Sequence, residues 1–202
     1  MDHLSFTNTS TLLIDSLKDP GNSHVWRQFV GRYRPVIVGF ARSWGLTEAD
    51  AEDVAQLTLA DFSRDLAAGK YERGKGRLKS WMLGIARHRV QDAQRDAAKR
   101  RQCAGESMMI DAAEGERVTL AWNDAERQAI FVEALEVLRA QSEVTPETMR
   151  AFELAVLRGV PTSEVARECG MSENSVYVAK HRVTTRLREI AEQISAGYED
   201  ES

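Results

Sequence analysis

Apolar residues recur along this chain at the three-and-four spacing of helices, and no stretch alternates as a strand does. The clearest stretch runs from Pro161 to Ile190. Val176, Ala179, Val183, Leu187 and Ile190 form one stripe of a long helix that Ser172 can cap. Before it, Val165 and Ala166 belong to a short helix that Thr162 can cap and that Gly170 ends, where a positive φ is needed. A small Ala166 at the crossing, and Val176 in the angle between the helices, give the spacing of a helix-turn-helix. The opposite face of the long helix presents Asn174, Tyr177, Val178, His181, Thr185 and Arg188, flanked by Lys180, Arg182 and Arg186. Short side chains near the helix start can reach base edges, and the cations around them suit phosphates. A helical hairpin with a solvated basic face is the plainer reading. It leaves the cap, the turn glycine and the crossing alanine unconnected.

The rest of the chain reads as helices too. Residues 10–19 predict a short amphipathic helix ended by Pro20-Gly21. A second begins near Ser23 with Val25, Trp26, Phe29, Val30 and Tyr33 inward; Pro35 should kink or divide it before Val36, Ile37, Phe40, Ala41 and Trp44. Gly45 closes it. Thr47 caps the next helix, which buries Ala55, Leu59, Phe62 and Leu66 and turns Asp50, Asp53, Leu57 and Asp61 the other way. A loop, AAGKYERGKGRLKS, leads to a helix starting at Trp81. That helix has Leu83, Ala86, Val90, Ala93 and Ala97 on one face and His88, Gln91, Asp92, Arg95 and Lys99 on the other. Residues 102–122 read as a flexible linker. A helix from about Asp124 to Arg139 follows, with Ile130, Ala134, Val137 and Leu138 apolar, and then a Thr145-capped helix leading to Gly159. The fold expected is all-α: helical domains at 1–101 and 123–196, joined by that linker, with an acidic tail at 197–202.

Charge sharpens this. Over 202 residues the formal net charge is −4, low for a freestanding DNA binder, but it is segregated. Acid crowds Glu48–Asp65 and Glu199–Glu201; base crowds Arg87–Arg101 and Lys180–Arg188. Two partners are implied, one basic and one a nucleic acid. Carboxylates around the outward Leu57 suit a basic protein surface with one apolar pocket, and read equally as a solvated acidic face with a stray leucine. The basic loop with Tyr71, followed by Trp81 and a basic helix, suits single-stranded nucleic acid; Trp81 reads also as a core residue. The Walker spacing is absent, so the glycine-lysine loop is not a phosphate loop. Two unpaired cysteines, Cys103 and Cys169, and four scattered histidines give no metal site, and no cofactor is expected. No triad or metal cluster suggests an enzyme. Without a membrane-length apolar run or a signal-peptide start, the expected location is the cytoplasm, with no membrane insertion.

DAEDVAQLTLADF, the glycine-bearing loop, LKSWMLGIARHRVQDAQR and the distal EVARECGMSENSVYVAKHRVTTRLRE together resemble a bacterial sigma factor of the small extracytoplasmic-function group. STLLIDSLKDP and VYVAKHRV are also similar to planctomycete-type members. The resemblance implies that Asp50, Glu52, Asp53, Gln56, Leu57 and Asp61 dock on the clamp helices of the largest subunit of core RNA polymerase, whose flap region is a further contact. The loop Tyr71–Lys79, with Lys75, Lys79 and Trp81, and the helix bearing His88, Gln91 and Arg95 would melt and hold the minus-ten element of promoter DNA. Asn174, Ser175, Tyr177, Val178, Lys180, His181, Arg182 and Arg186 would meet the minus-thirty-five element as duplex. An anti-sigma factor is a further implied partner. His88 stands where members often have asparagine, and the usual Leu-Pro before the distal domain is missing. The alternative is a conventional helix-turn-helix regulator with a sensing or dimerising N-terminal domain, which would need a ligand pocket or a self-complementary face.

Overall fold

A computed structural model of the chain describes residues 11–19, 21–72, 76–100, 115–141 and 144–198, and every regular element among them is helical. The helices are α1 (Thr11–Lys18), α2 (Ser23–Ser43), α3 (Glu48–Ala67), α4 (Leu78–Arg100), α5 (Gly115–Ala140), α6 (Pro146–Phe152), α7 (Thr162–Cys169) and α8 (Glu173–Ala196). They form two units: unit 1 runs to Ala129 and resumes at Gly197, and unit 2 is Ile130–Ala196.

Unit 1 is built on aromatic rings. Phe29 of α2 stacks on Phe62 of α3 with centroids 4.8 Å apart, and Trp26 meets both edge-on. Such pairs add to the burial of their large apolar area. Pro35 stands inside α2 without dividing it. Its missing N–H would have bonded Gly31, and both residues lie on the solvent side, where water can satisfy the orphaned carbonyl. Tyr33, Val36 and Ile37, all buried, hold both halves of the helix to the same core. Gly45, at φ 81°, turns the chain toward α3, and the Thr47 hydroxyl accepts the Asp50 N–H at 3.2 Å as the expected cap.

Two boundaries differ from expectation. Helix α4 begins at Leu78 rather than Trp81, because Leu78 is itself core. Its buried face is Leu78, Met82, Ala86, Val90 and Ala97, with Leu83 and Ala93 only half-buried. Gln94 joins that face by donating to the Trp44 carbonyl at 3.0 Å, which satisfies a buried amide. Helix α5 begins at Gly115, so residues 115–122 are helix rather than linker. The cause is burial: Val118, Trp122 and Ala125 face inward, Trp122 with its ring 5.7 Å from that of Phe40. Ala125 approaches Gly39 so closely that a Cβ there would lie 3.2 Å from its methyl. The first half of α5 therefore belongs to unit 1 and the second to unit 2. Residues 102–114 of the expected linker, Cys103 included, and 199–202 of the acidic tail lie outside the described residues.

Unit 1 also takes in residues from beyond α8. Tyr198 is 3% exposed, its ring 5.7 Å from that of Tyr33, and its hydroxyl donates to the Arg32 carbonyl at 3.0 Å. The Arg32 guanidinium lies over the Tyr198 ring and donates to the Gly197 carbonyl at 2.6 Å.

Unit 2 is largely aliphatic, with Phe152 its one aromatic residue in the buried clusters. Ala134, Leu135, Leu138 and Phe152 pack on Val183, Leu187 and Ile190 of α8, while Ala151, Leu154, Val165 and Ala166 enclose Val176 and Ala179. The α8 stripe is buried as its spacing predicts. Thr145 caps α6 by accepting the Thr148 N–H, after which residues 153–157 widen into a π-type turn. Helix α7 differs from expectation at its start: Thr162 is already its first residue and Pro161 the cap. The Pro161 carbonyl accepts the N–H groups of Glu164 and Val165, so no hydroxyl is needed. Gly170 is left-handed at φ 64°, and the Met171 N–H closes back on the Ala166 carbonyl at 2.9 Å. Arg150 ties α6 to α7 through Glu168 at 2.7 Å, and this hydrogen-bonded carboxylate raises the guanidinium pKa above its ordinary value.

Candidate functional site

Helix α3 turns its carboxylates outward, yet most are engaged within the unit. Arg34 pairs with Glu52 at 2.7 Å, and Arg42 with Glu48 at 2.7 Å. The Thr47 hydroxyl donates to Asp50 at 2.7 Å. Asp61 is half-buried between Arg89 of α4, whose Nε donates at 2.6 Å, and Arg64. What the face leaves open is Asp53, Gln56 and Leu57, the leucine 50% exposed. No ion pair to Asp53 occurs among the described residues. Sequence reasoning missed Arg34 and Arg89 as governors of this face. Arg64 was readable as an i+3 neighbour of Asp61, but Arg89 lies 28 residues away with no local signal.

The expected single-strand surface is assembled only in part. Trp81 lies between Phe62 and Tyr71, at 5.0 and 5.1 Å, so it extends the aromatic core and stacks on Tyr71. Lys79 pairs with Glu126 of α5 at 2.9 Å. His88 and Arg95 are exposed and Gln91 half-buried along one face of α4, with Arg95 held by Asp92 at 3.1 Å. Lys75 lies outside the described residues.

Helix α8 carries the most open face. Asn174, Tyr177, Val178, His181, Arg182, Thr185 and Arg188 are exposed on it. Tyr177, Lys180, His181, Thr184, Thr185 and Arg188 line a shallow groove along the helix. Thr184 was not singled out from the sequence; its place next to Thr185, between the stripe and the basic flank, was the available signal. Two of the expected contact residues are engaged within unit 2. Ser175 is half-buried, its hydroxyl 2.8 Å from that of the cap Ser172. Arg186 holds Glu189 at 3.0 Å and the Gln141 side chain at 3.2 Å. Among the described residues no cluster of His, Cys, Asp and Glu could hold a metal, and no helix is long and apolar enough to cross a membrane.

The chain matches the family model "Sigma-70 region 2" over residues 29–100 and "Sigma-70, region 4" over residues 134–187. It is 32% identical over 189 residues to the ECF RNA polymerase sigma factor SigD of Mycobacterium tuberculosis, covering 88% of this chain and 81% of SigD. It is 27% identical over 181 residues to ECF RNA polymerase sigma factor ShbA of Streptomyces griseus, covering 86% and 91%. A solved structure of CnrH in complex with the cytosolic domain of CnrY is 18% identical and covers 90% of this chain and 96% of that one, with a TM-score of 0.37. SigD and ShbA are from Mycobacterium and Streptomyces, and a likeness to planctomycete-type members is not shown. Region 2 maps onto α2–α4 and region 4 onto the helices that end in the helix-turn-helix; the chain belongs to the sigma-70 family, among the ECF RNA polymerase sigma factors.

Proposed function

We propose that the chain binds core RNA polymerase through the open part of α3 and directs it to promoters, reading the minus-thirty-five element as duplex through α8 and the minus-ten element as melted strand through α4 and the loop before it. The observation that carries this is the opposite chemistry of two exposed faces. One presents Asp53, Gln56 and Leu57; the other presents His181, Arg182 and Arg188 around short polar side chains. A half-exposed leucine beside a carboxylate suits a basic surface with an apolar pocket, such as the clamp helices, and a cationic helix suits phosphates. Unit 2 would meet the flap region, and the work would be done in the cytoplasm, where core polymerase is. An anti-sigma factor that restrains the chain would do so by covering one of these faces. The test is co-elution of the purified chain with core RNA polymerase. The wild type should co-elute, and Asp53→Lys, at an exposed helical position, should fold yet fail to do so. A chain that ignores core polymerase would instead favour the two-domain regulator.

A further inference from the structure

The two largest apolar side chains on the outer face of α8 are adjacent and both lie open: Tyr177 is 57% and Val178 59% exposed. Neither belongs to the buried clusters of unit 2, which take Val176 and Ala179 on either side of them. A valine here does the helix no service, since a β-branched residue is a poorer helix former than most polar ones and its methyls gain nothing in water. Its neighbours one turn away are Asn174 and His181, with Arg182 beside it and Arg188 further along. An apolar side chain ringed by amide, imidazole and guanidinium groups near a helix start fits a duplex major groove, where the one apolar feature of a base edge is the thymine 5-methyl group.

We infer that Val178 reads a thymine methyl in the upstream promoter element, with Tyr177 flanking it and its hydroxyl directed to the backbone. This rests on the sigma reading and names the base chemistry that the recognition helix selects. Asn174, one turn before, stands where it can address a neighbouring base edge, and the cations hold the register through phosphates.

The test uses holoenzyme reconstituted from the full chain and core RNA polymerase. Duplexes it retains from a randomised library define the upstream element, and each thymine in that element is then replaced singly by deoxyuridine, which removes only the methyl. For the wild type, one position should lose about fourfold in affinity on losing its methyl. Val178→Ala, an exposed change to a better helix former, should bind the thymine duplex about as weakly as the wild type binds the uracil one, and should no longer distinguish them. Three results would overturn the inference: an upstream element without thymine, a wild-type holoenzyme indifferent to every deoxyuridine, or discrimination that persists in Val178→Ala. All three leave promoter selection intact. A chain that fails to join core polymerase fails the sigma reading itself, and the inference with it.

Discussion

Helices α3 and α8 are built alike and finished differently. Each begins at a hydroxyl cap, Thr47 or Ser172, and buries one apolar stripe. On α3 the opposite face is largely neutralised by arginines of its own unit: Arg34, Arg42, Arg64 and Arg89 each hold a carboxylate. On α8 the opposite face shows no ion pair to Arg188, His181 or Lys180 among the described residues, while Arg186 on the flank holds Glu189. A protein docking face can afford to be narrow, because a small central cluster carries most of the energy. A face for the phosphate backbone works by accumulated charge, so its cations must stay available. Net charge alone hides this contrast.

Fluorescence can separate the two units. All four tryptophans, Trp26, Trp44, Trp81 and Trp122, lie in unit 1, so tryptophan emission follows that unit while far-UV circular dichroism follows both. The largest expected effect is Phe62→Ala, which empties the centre of the aromatic ladder. It should cost about 3–5 kcal/mol and move the emission transition in urea to lower concentration. Asp61→Asn weakens the contacts to Arg89 and Arg64 and should cost ~1–2 kcal/mol in the same signal. If it leaves emission unmoved but reduces core-polymerase binding, Asp61 belongs to the docking face and not to the unit's own framework. Gly170→Ala forces a side chain into a left-handed turn at a cost of about 1–2 kcal/mol, and should shift dichroism without shifting emission. Thr47→Ala and Thr145→Ala remove one cap from each unit, each worth about 1 kcal/mol, the first visible by emission and the second by dichroism alone. Smallest in stability is Leu57→Ala, within roughly 0.5 kcal/mol in urea, although it should weaken core-polymerase binding.

What could be read from the sequence was whatever is local. The stripes of α2, α3 and α8, the caps at Thr47, Thr145 and Ser172, and the left-handed Gly170 each depend on residues a few positions apart, and all are found. The early start of α5 was hidden because residues 115–122 offer little periodicity of their own and become helical by burying Val118 and Trp122 against α2. The burial of Gln94 had no local signal, since its partner, the Trp44 carbonyl, is 50 residues back. In the candidate site, the outward side of each helix followed from the wheel, so Asp53, Leu57 and the α8 face stand where expected. Which charges remain open did not follow, since that depends on tertiary partners such as Arg34 for Glu52 and Glu126 for Lys79.

Tyr198 gives the chain an order of assembly. A ribosome delivers α2, with Arg32 and Tyr33, early, then the whole of unit 2, and only afterwards the ring that covers Tyr33. Domains ordinarily complete themselves from the N-terminus as they emerge. Here the helix-turn-helix leaves the ribosome, and can fold, before unit 1 receives its last aromatic residue. A chain ending at residue 197 would carry the whole of α8 and a first unit still lacking the ring that covers Tyr33.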